Sequence, residues 1–142
     1  MSGNIAIGIQ DFSTIIQGNY FYIDKTPFIK EWWDCGDSAT LITRPHRFGK
    51  TLTMSMVEQF FSIDYAGRSD LFEHLAIWKE EKYRELQGTY PVISLSFARI
   101  KERDYEKTKQ KMCEVLRNIY IKFCYIKDSE KLTDADSSKE RQ

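Results

Sequence analysis

Thr43-Arg44-Pro45-His46-Arg47-Phe48-Gly49-Lys50-Thr51 is the stretch on which the reading of this chain turns. Before it stands SATLIT (38–43), short, apolar-centred and β-branched, with the character of a buried strand. After it, from Lys50 to Phe61, Leu52, Met56, Val57, Phe60 and Phe61 share one helical face. A loop between a strand and a helix is the context in which Gly-Lys-Thr can hold phosphate. The first amide N–H groups of a helix have no internal partner, and the helix dipole favours an anion there. Gly49 leaves room for phosphate oxygens to approach the backbone. Lys50 can reach the β- and γ-phosphates as a point charge, and the Thr51 hydroxyl can ligate Mg²⁺. The full pattern G-x-x-x-x-G-K-[ST] is broken here, because Arg44 occupies the first glycine position and Pro45 removes one N–H. The bland alternative is that Gly49-Lys50-Thr51 merely opens a helix.

Working outward, YFYI (20–23) is aromatic and β-branched, hence strand-like. Thr26-Pro27 reads as an N-cap followed by proline at the first helical position. The helix after it should bury Phe28, Ile29, Trp32 and Trp33 and stop near Gly36. Residues 68–86 are mixed, with Leu71, Phe72, Leu75, Ile77, Trp78 and Tyr83 supplying short helical packing pieces. YPVISLSF (90–97) reads as a further strand, with Pro91 at its start. Residues 102–126 form a long amphipathic helix, with Met112, Leu116, Ile119, Phe123 and Ile126 spaced by three and four. Alternating strands and helices argue for an α/β fold, a parallel sheet flanked by helices, with a right-handed crossover between 38–43 and 90–97.

Composition narrows the function. The 142 residues, 42% hydrophobic and 30% charged, suit one globular domain rather than a disordered chain. Lys+Arg and Asp+Glu are both 21, so no overall charge draws the protein to nucleic acid or anionic lipid. No run approaches the ~18 apolar residues of a membrane span, and the N-terminus lacks the features of a secretory signal. Cys35, Cys113 and Cys124 have no C-x-x-C spacing, and His46 and His74 are the only histidines, so a zinc site is not expected. Three reduced thiols suit a cytoplasmic protein. Residues 127–142 (KDSEKLTDADSSKERQ) form a polar tail that cannot bury enough apolar surface to order itself, which leaves 1–126 as the folded part.

The loop RPHRFGKT resembles the RPRRFGKS-type loop of the bacterial AAA-ATPase-like family, a divergent branch of the P-loop NTPases. Tyr22-Ile23-Asp24-Lys25-Thr26 is similar to that family's Y-V-D-K-T signature. Leu71-Phe72 with Leu75 and Ile77 resembles its L-F-x-x-L-x-I segment, and Tyr90-Pro91-Val92-Ile93 with Leu95-Ser96-Phe97 its P-V-I-x-L-S-F strand. The four motifs occur in the family's order over residues 8–125. The resemblance implies a P-loop NTPase-like parallel sheet, incomplete in this chain, and ATP with Mg²⁺ as ligands. It implies nucleotide contact by Gly49, Lys50 and Thr51, with Arg44, Arg47 and Phe48 lining the loop and Thr51 on the metal. Arg44 is then this family's ordinary residue, whereas His46 departs from its more usual Arg. The family also implies that residues 22–25 lie near the adenine, against the plainer reading of a strand end with Asp24 and Thr26 capping the next helix.

Hydrolysis needs an acidic residue on another strand to hold Mg²⁺, and no candidate presents itself. Asp64 ends the loop helix and reads as a surface residue, Asp128 ends the long helix, and the strand from Val92 closes on Ala98-Arg99. In the family that acidic motif comes later than residue 142, so the chain reads as the N-terminal part of an ATPase, truncated or from a split gene. Such a part should associate with itself or with a downstream domain through an unpaired sheet edge. Two other functions compete: a nucleic-acid binding module using the basic loop and residues 99–122, and a non-catalytic interaction fragment. Residues 99–122 carry eight Lys/Arg against four Asp/Glu, but they lack the aromatic interleaving that would stack bases.

Overall fold

A computed structural model describes residues 5, 7–43, 45, 49–98 and 100–127. They divide between two compact units, Met1–Val92 and Ile93–Gln142. The first begins with a polar cap. The Asp11 carboxylate accepts from the Thr14 amide at 2.8 Å and from the Ser13 and Thr14 hydroxyls at 2.6 and 2.7 Å, which starts α1 (Phe12–Gln17). Burial works against the charged carboxylate, but these bonds and one from Gln59 outweigh it and hold its pKa below the usual range.

Pro27 opens α2 (Pro27–Cys35) at a position where its missing N–H sacrifices no helix bond, and Gly36 closes it. The next helix, α3, spans Lys50–Phe61. Its face of Leu52, Met56 and Phe60 repeats every four residues, so one stripe meets the core. A partly buried polar link joins it to α1: the Phe12 amide donates to the Ser55 hydroxyl at 3.0 Å, and the Gln59 amide group donates to Asp11 at 2.7 Å. Beyond α3 come short 3₁₀ turns at Ile63–Tyr65, Ser69–Leu71 and Ala76–Lys79, then α4 (Glu81–Arg84).

The core is largely aromatic. Phe12 stacks on Phe72 with centroids 5.1 Å apart, Phe60 meets Phe72 edge-on at 5.1 Å, and Trp33 stacks on Phe61 at 5.4 Å. Such pairs add about 0.5–1.5 kcal/mol each beyond the area they bury. The short pieces after α3 contribute Leu71, Phe72, Ile77 and Tyr83 to the same cluster, the packing role their spacing predicts.

The parallel sheet of a P-loop α/β fold is not what these residues form. Among the described residues there is no strand, and the single bridge is a parallel one between Ser62 and Tyr90. A strand exists only through a ladder of hydrogen bonds to a neighbour, and each expected strand has a different fate. At 90–97 the first residues are taken by the end of α3. Gly88 N–H donates to Phe60 O at 2.8 Å, Tyr90 N–H to Phe61 O at 2.9 Å, and Ile63 N–H to Tyr90 O at 2.8 Å. Residues 38–43 are not buried: Leu41 is 85% exposed, and Thr40 serves as acceptor for the Trp32 indole N–H at 3.0 Å. Residues 20–23 keep the alternation of a strand, with Tyr22 turned inward and Phe21 and Ile23 65% and 67% exposed, yet no second strand among the described residues lies beside them. The right-handed crossover expected between 38–43 and 90–97 falls with the sheet.

In the second unit, α5 (Tyr105–Lys122) is capped by Asp104, and Lys111 pairs with Glu102. The helix expected over 102–126 is thus shorter, followed by α6 (Cys124–Lys127), and none of the α5 residues is buried. No helix among the described residues is long and apolar enough to cross a membrane. From residue 128 onward the expected polar tail lies outside the described residues.

Candidate functional site

Gly49 holds the position before α3 with φ of 77°, a left-handed conformation that a side chain strains. Its carbonyl accepts from Thr53 N–H at 2.9 Å, which closes the first helical turn. The amides of Lys50, Thr51 and Leu52 therefore precede the first intrahelical bond, and no side-chain cap bond covers this end among the described residues. A Cβ placed on Gly49 would stand 2.8 Å from Lys25 Nζ, so the amino group of Lys25 lies directly against this glycine.

Lys25 is brought there by a tightly bonded turn. One oxygen of the Asp24 carboxylate accepts from the Thr26 amide at 2.8 Å and the Thr26 hydroxyl at 2.6 Å. The other accepts from the Ala76 amide at 2.7 Å, and the Thr26 hydroxyl oxygen accepts in turn from Ile77 N–H at 3.2 Å. Thr26 thus stands at the N-cap of α2, as expected, but its hydroxyl serves the 76–79 turn instead of the helix it precedes. On the other side, the Lys25 amide donates to the Tyr22 hydroxyl at 3.3 Å, and that hydroxyl donates to Met56 Sδ at 3.2 Å. Burial pushes the Tyr22 pKa up to about 12, so the phenol is neutral.

A cleft of about 450 Å³ is lined by Lys50, the residue after this glycine, and by Lys25, which touches it. Its lining includes two lysines, Lys25 and Lys50, two acidic residues, Asp24 and Glu31, and Thr53. Pro27, Phe28 and Ile42 give it an apolar wall. Polar groups of both signs around an apolar surface can hold a ligand with a charged end and a flat uncharged end.

Of the residues singled out in the sequence, Lys50 lines this cleft, Gly49 touches the lining residue Lys25, and Thr51 is exposed on the first turn; Thr53, not singled out, lines the cleft as well. Arg44, Arg47, Phe48 and His46 lie outside the described residues. Glu31, Phe28 and Ile42 escaped sequence reasoning because helix spacing marks Phe28 for packing, and nothing in the sequence connects Glu31 or Ile42 with a loop residues away. Lys25 did carry a signal, its place between Asp24 and Thr26 in a recognisable motif.

Among the described residues no group of three or more His, Cys, Asp or Glu side chains gathers to hold a metal ion. Asp64 is exposed in the 3₁₀ turn that follows α3, in keeping with its reading as a surface residue, and Cys35, Cys113 and Cys124 are free and exposed.

A family model described as "Predicted AAA-ATPase" matches residues 6–142. An uncharacterized protein encoded in the vnfD 5′ region of Azotobacter chroococcum mcd 1 is 32% identical over 113 residues, which are 79% of this chain and 20% of the relative. The chain thus spans about a fifth of the length of that curated relative. No solved structure matches it.

Proposed function

This chain belongs to the AAA-ATPase-like family, and from that premise we propose that it binds a nucleoside triphosphate, ATP, at the start of α3. The observation that carries the proposal is a left-handed Gly49 at the start of α3, first-turn amides with no side-chain cap among the described residues, and Lys50 beside them in the lining of a cleft. The amides donate to phosphate oxygens, and Lys50 neutralises charge on the β- and γ-phosphates. Gly49 serves twice, because its conformation strains a side chain and because bare backbone lets the phosphate come close. Arg44, Arg47 and Phe48 complete the loop in this reading, as a divergent Walker A.

The apolar wall of Pro27, Phe28 and Ile42 suits the nucleobase, and Glu31 offers a hydrogen-bond acceptor beside it. Mg²⁺ arrives with the triphosphate. It prefers six oxygen ligands, mostly phosphate and water, and the exposed Thr51 hydroxyl on the first turn is of the right chemistry to add one. The Asp24 carboxylate is engaged by Thr26 and Ala76, which leaves Glu31 as the uncommitted carboxylate of the cleft lining among the described residues. The proposal is accordingly one of binding.

Calorimetric titration of the chain with ATP and Mg²⁺ tests it. Lys50→Ala removes a charge-assisted contact and should weaken binding by about 2–3 kcal/mol, roughly 30- to 150-fold. Unchanged affinity in a folded Lys50→Ala protein overturns the proposal.

A further inference from the structure

The second unit opens with Ile93-Ser94-Leu95-Ser96-Phe97, in which Ile93, Leu95 and Phe97 are 60%, 41% and 51% exposed. Its backbone is as open as its side chains. Among the described residues no N–H of 93–97 donates to another protein group, and of their carbonyls only that of Phe97 accepts, from Ile100 N–H at 3.0 Å. We propose that Ile93–Phe97 pairs antiparallel with the same segment of a second copy of this chain, about a twofold axis at Leu95. The inference is independent of the nucleotide-binding reading.

Three features name a second copy as the occupant. The first is the pattern, which presents the same chemistry in both directions: Ser94 and Ser96 flank Leu95, and Ile93 and Phe97 flank the serines. An antiparallel pair centred on Leu95 sets that leucine beside its own copy, Ser94 opposite Ser96 and Ile93 opposite Phe97. Hydroxyl then meets hydroxyl and apolar meets apolar, the aromatic lying against a β-branched side chain. Such an interface is self-complementary, since each copy gives and receives the same contacts.

The second is charge. Residues 90–98 carry none, and Lys+Arg and Asp+Glu are both 21 over the chain, so neither the segment nor the whole protein repels its copy. The third is the backbone. A row of unpaired donors and acceptors is a template for another strand, and the lysine, proline or inward charge that commonly blunts such an edge is absent from 93–97. Pairing satisfies these groups. Alternation puts Ile93, Leu95 and Phe97 on one face of the ribbon beside their counterparts, which removes apolar surface from water. The ladder has an end on each side, because Pro91 has no N–H to donate and the Phe97 carbonyl is already taken by Ile100.

Sedimentation equilibrium of the 142-residue chain across a dilution series tests the pairing, with thermal melting to establish that each variant is folded. The unaltered chain should approach a dimer as its concentration rises. Leu95→Lys sets two like charges together at the axis and should weaken dimerisation about tenfold or more. Leu41→Lys and Leu116→Lys, at exposed leucines elsewhere, should leave it unchanged. Register is read from two double variants. Ile93→Lys with Phe97→Glu opposes unlike charges across the pair and should keep the dimer, whereas Ile93→Lys with Phe97→Lys opposes like charges and should abolish it. A chain that stays monomeric up to about 1 mM overturns the inference, as does association that grows past the dimer without limit. It also fails if folded Leu95→Lys dimerises as the unaltered chain does, if Leu41→Lys or Leu116→Lys weakens the dimer as much, or if the two double variants dimerise alike.

Discussion

Tyr22 ties the protonation of one side chain to the stability of the fold. Its ring meets Phe12 edge-on at 5.6 Å, and its hydroxyl bridges the Lys25 amide and Met56 Sδ. Burial raises its pKa from 10.0 to about 12, so the native state prefers the neutral phenol more strongly than the unfolded chain does. The stability this supplies is fully present below pH 10 and drains away as pH rises toward about 12, because the unfolded tyrosine ionises first. Urea midpoints measured from pH 9 to 12 should fall more steeply for the unaltered protein than for Tyr22→Phe. Equal slopes would show that this phenol ionises alike in both states. The YFYI run marks Tyr22 as apolar and extended, but the inward turn of its ring was legible only from the alternation, and its polar partners not at all. Met56 lies 34 residues away.

Two motifs noted separately in the sequence turn out to be one structural unit at the scale of elements. Asp24-Lys25-Thr26 and the Leu75–Ile77 segment are joined by the bonds from Ala76 and Ile77 to Asp24 and Thr26, so the start of α2 and the 76–79 turn hold each other. The Ile77 N–H is buried with Thr26 as its acceptor, and Thr26 is fully buried. Thr26→Val keeps the shape and removes the acceptor, leaving a buried donor unpaired at a cost of about 1–3 kcal/mol. Thr26→Ser should recover most of this loss in the same urea titrations, and equal stability of Val and Ser would mean the bond is not formed. The helices themselves were open to sequence reading: α3 spans the residues that its apolar stripe marks, and α2 lies between the proline and glycine that bound it. The bonds between elements were not, since a threonine before a proline reads equally well as a cap.

The two units of the molecule differ in how much they bury. Residues up to Val92 contain the aromatic cluster around Phe12, Phe60 and Phe72, while α5 in the second unit has no buried residue. Helices draw most of their stability from an apolar face packed on something else. Amide hydrogens of α5 should therefore exchange with solvent far faster than those in the middle of α3, by roughly a hundredfold or more if they open independently. Equal protection in both helices, measured by hydrogen exchange with mass spectrometry, would overturn that expectation.

Local rules were enough to read from the sequence the helices α2 and α3, the core residues Ile29, Met56, Phe60, Phe61, Leu71, Phe72, Ile77 and Tyr83, and the Gly-Lys-Thr opening of the loop helix, but not Phe12 or Ile15 of α1. Each depends on neighbours a turn or less away: spacing by three and four, a proline at a helix start, a glycine at its end. That the described residues form no sheet was decided by tertiary structure, because a β-prone segment becomes a strand only when another backbone lies alongside, and the end of α3 claims the first residues of 90–97 instead. Tertiary structure also decided the place of Lys25, since a side chain's distance from a glycine 24 positions later is set by how the intervening chain packs.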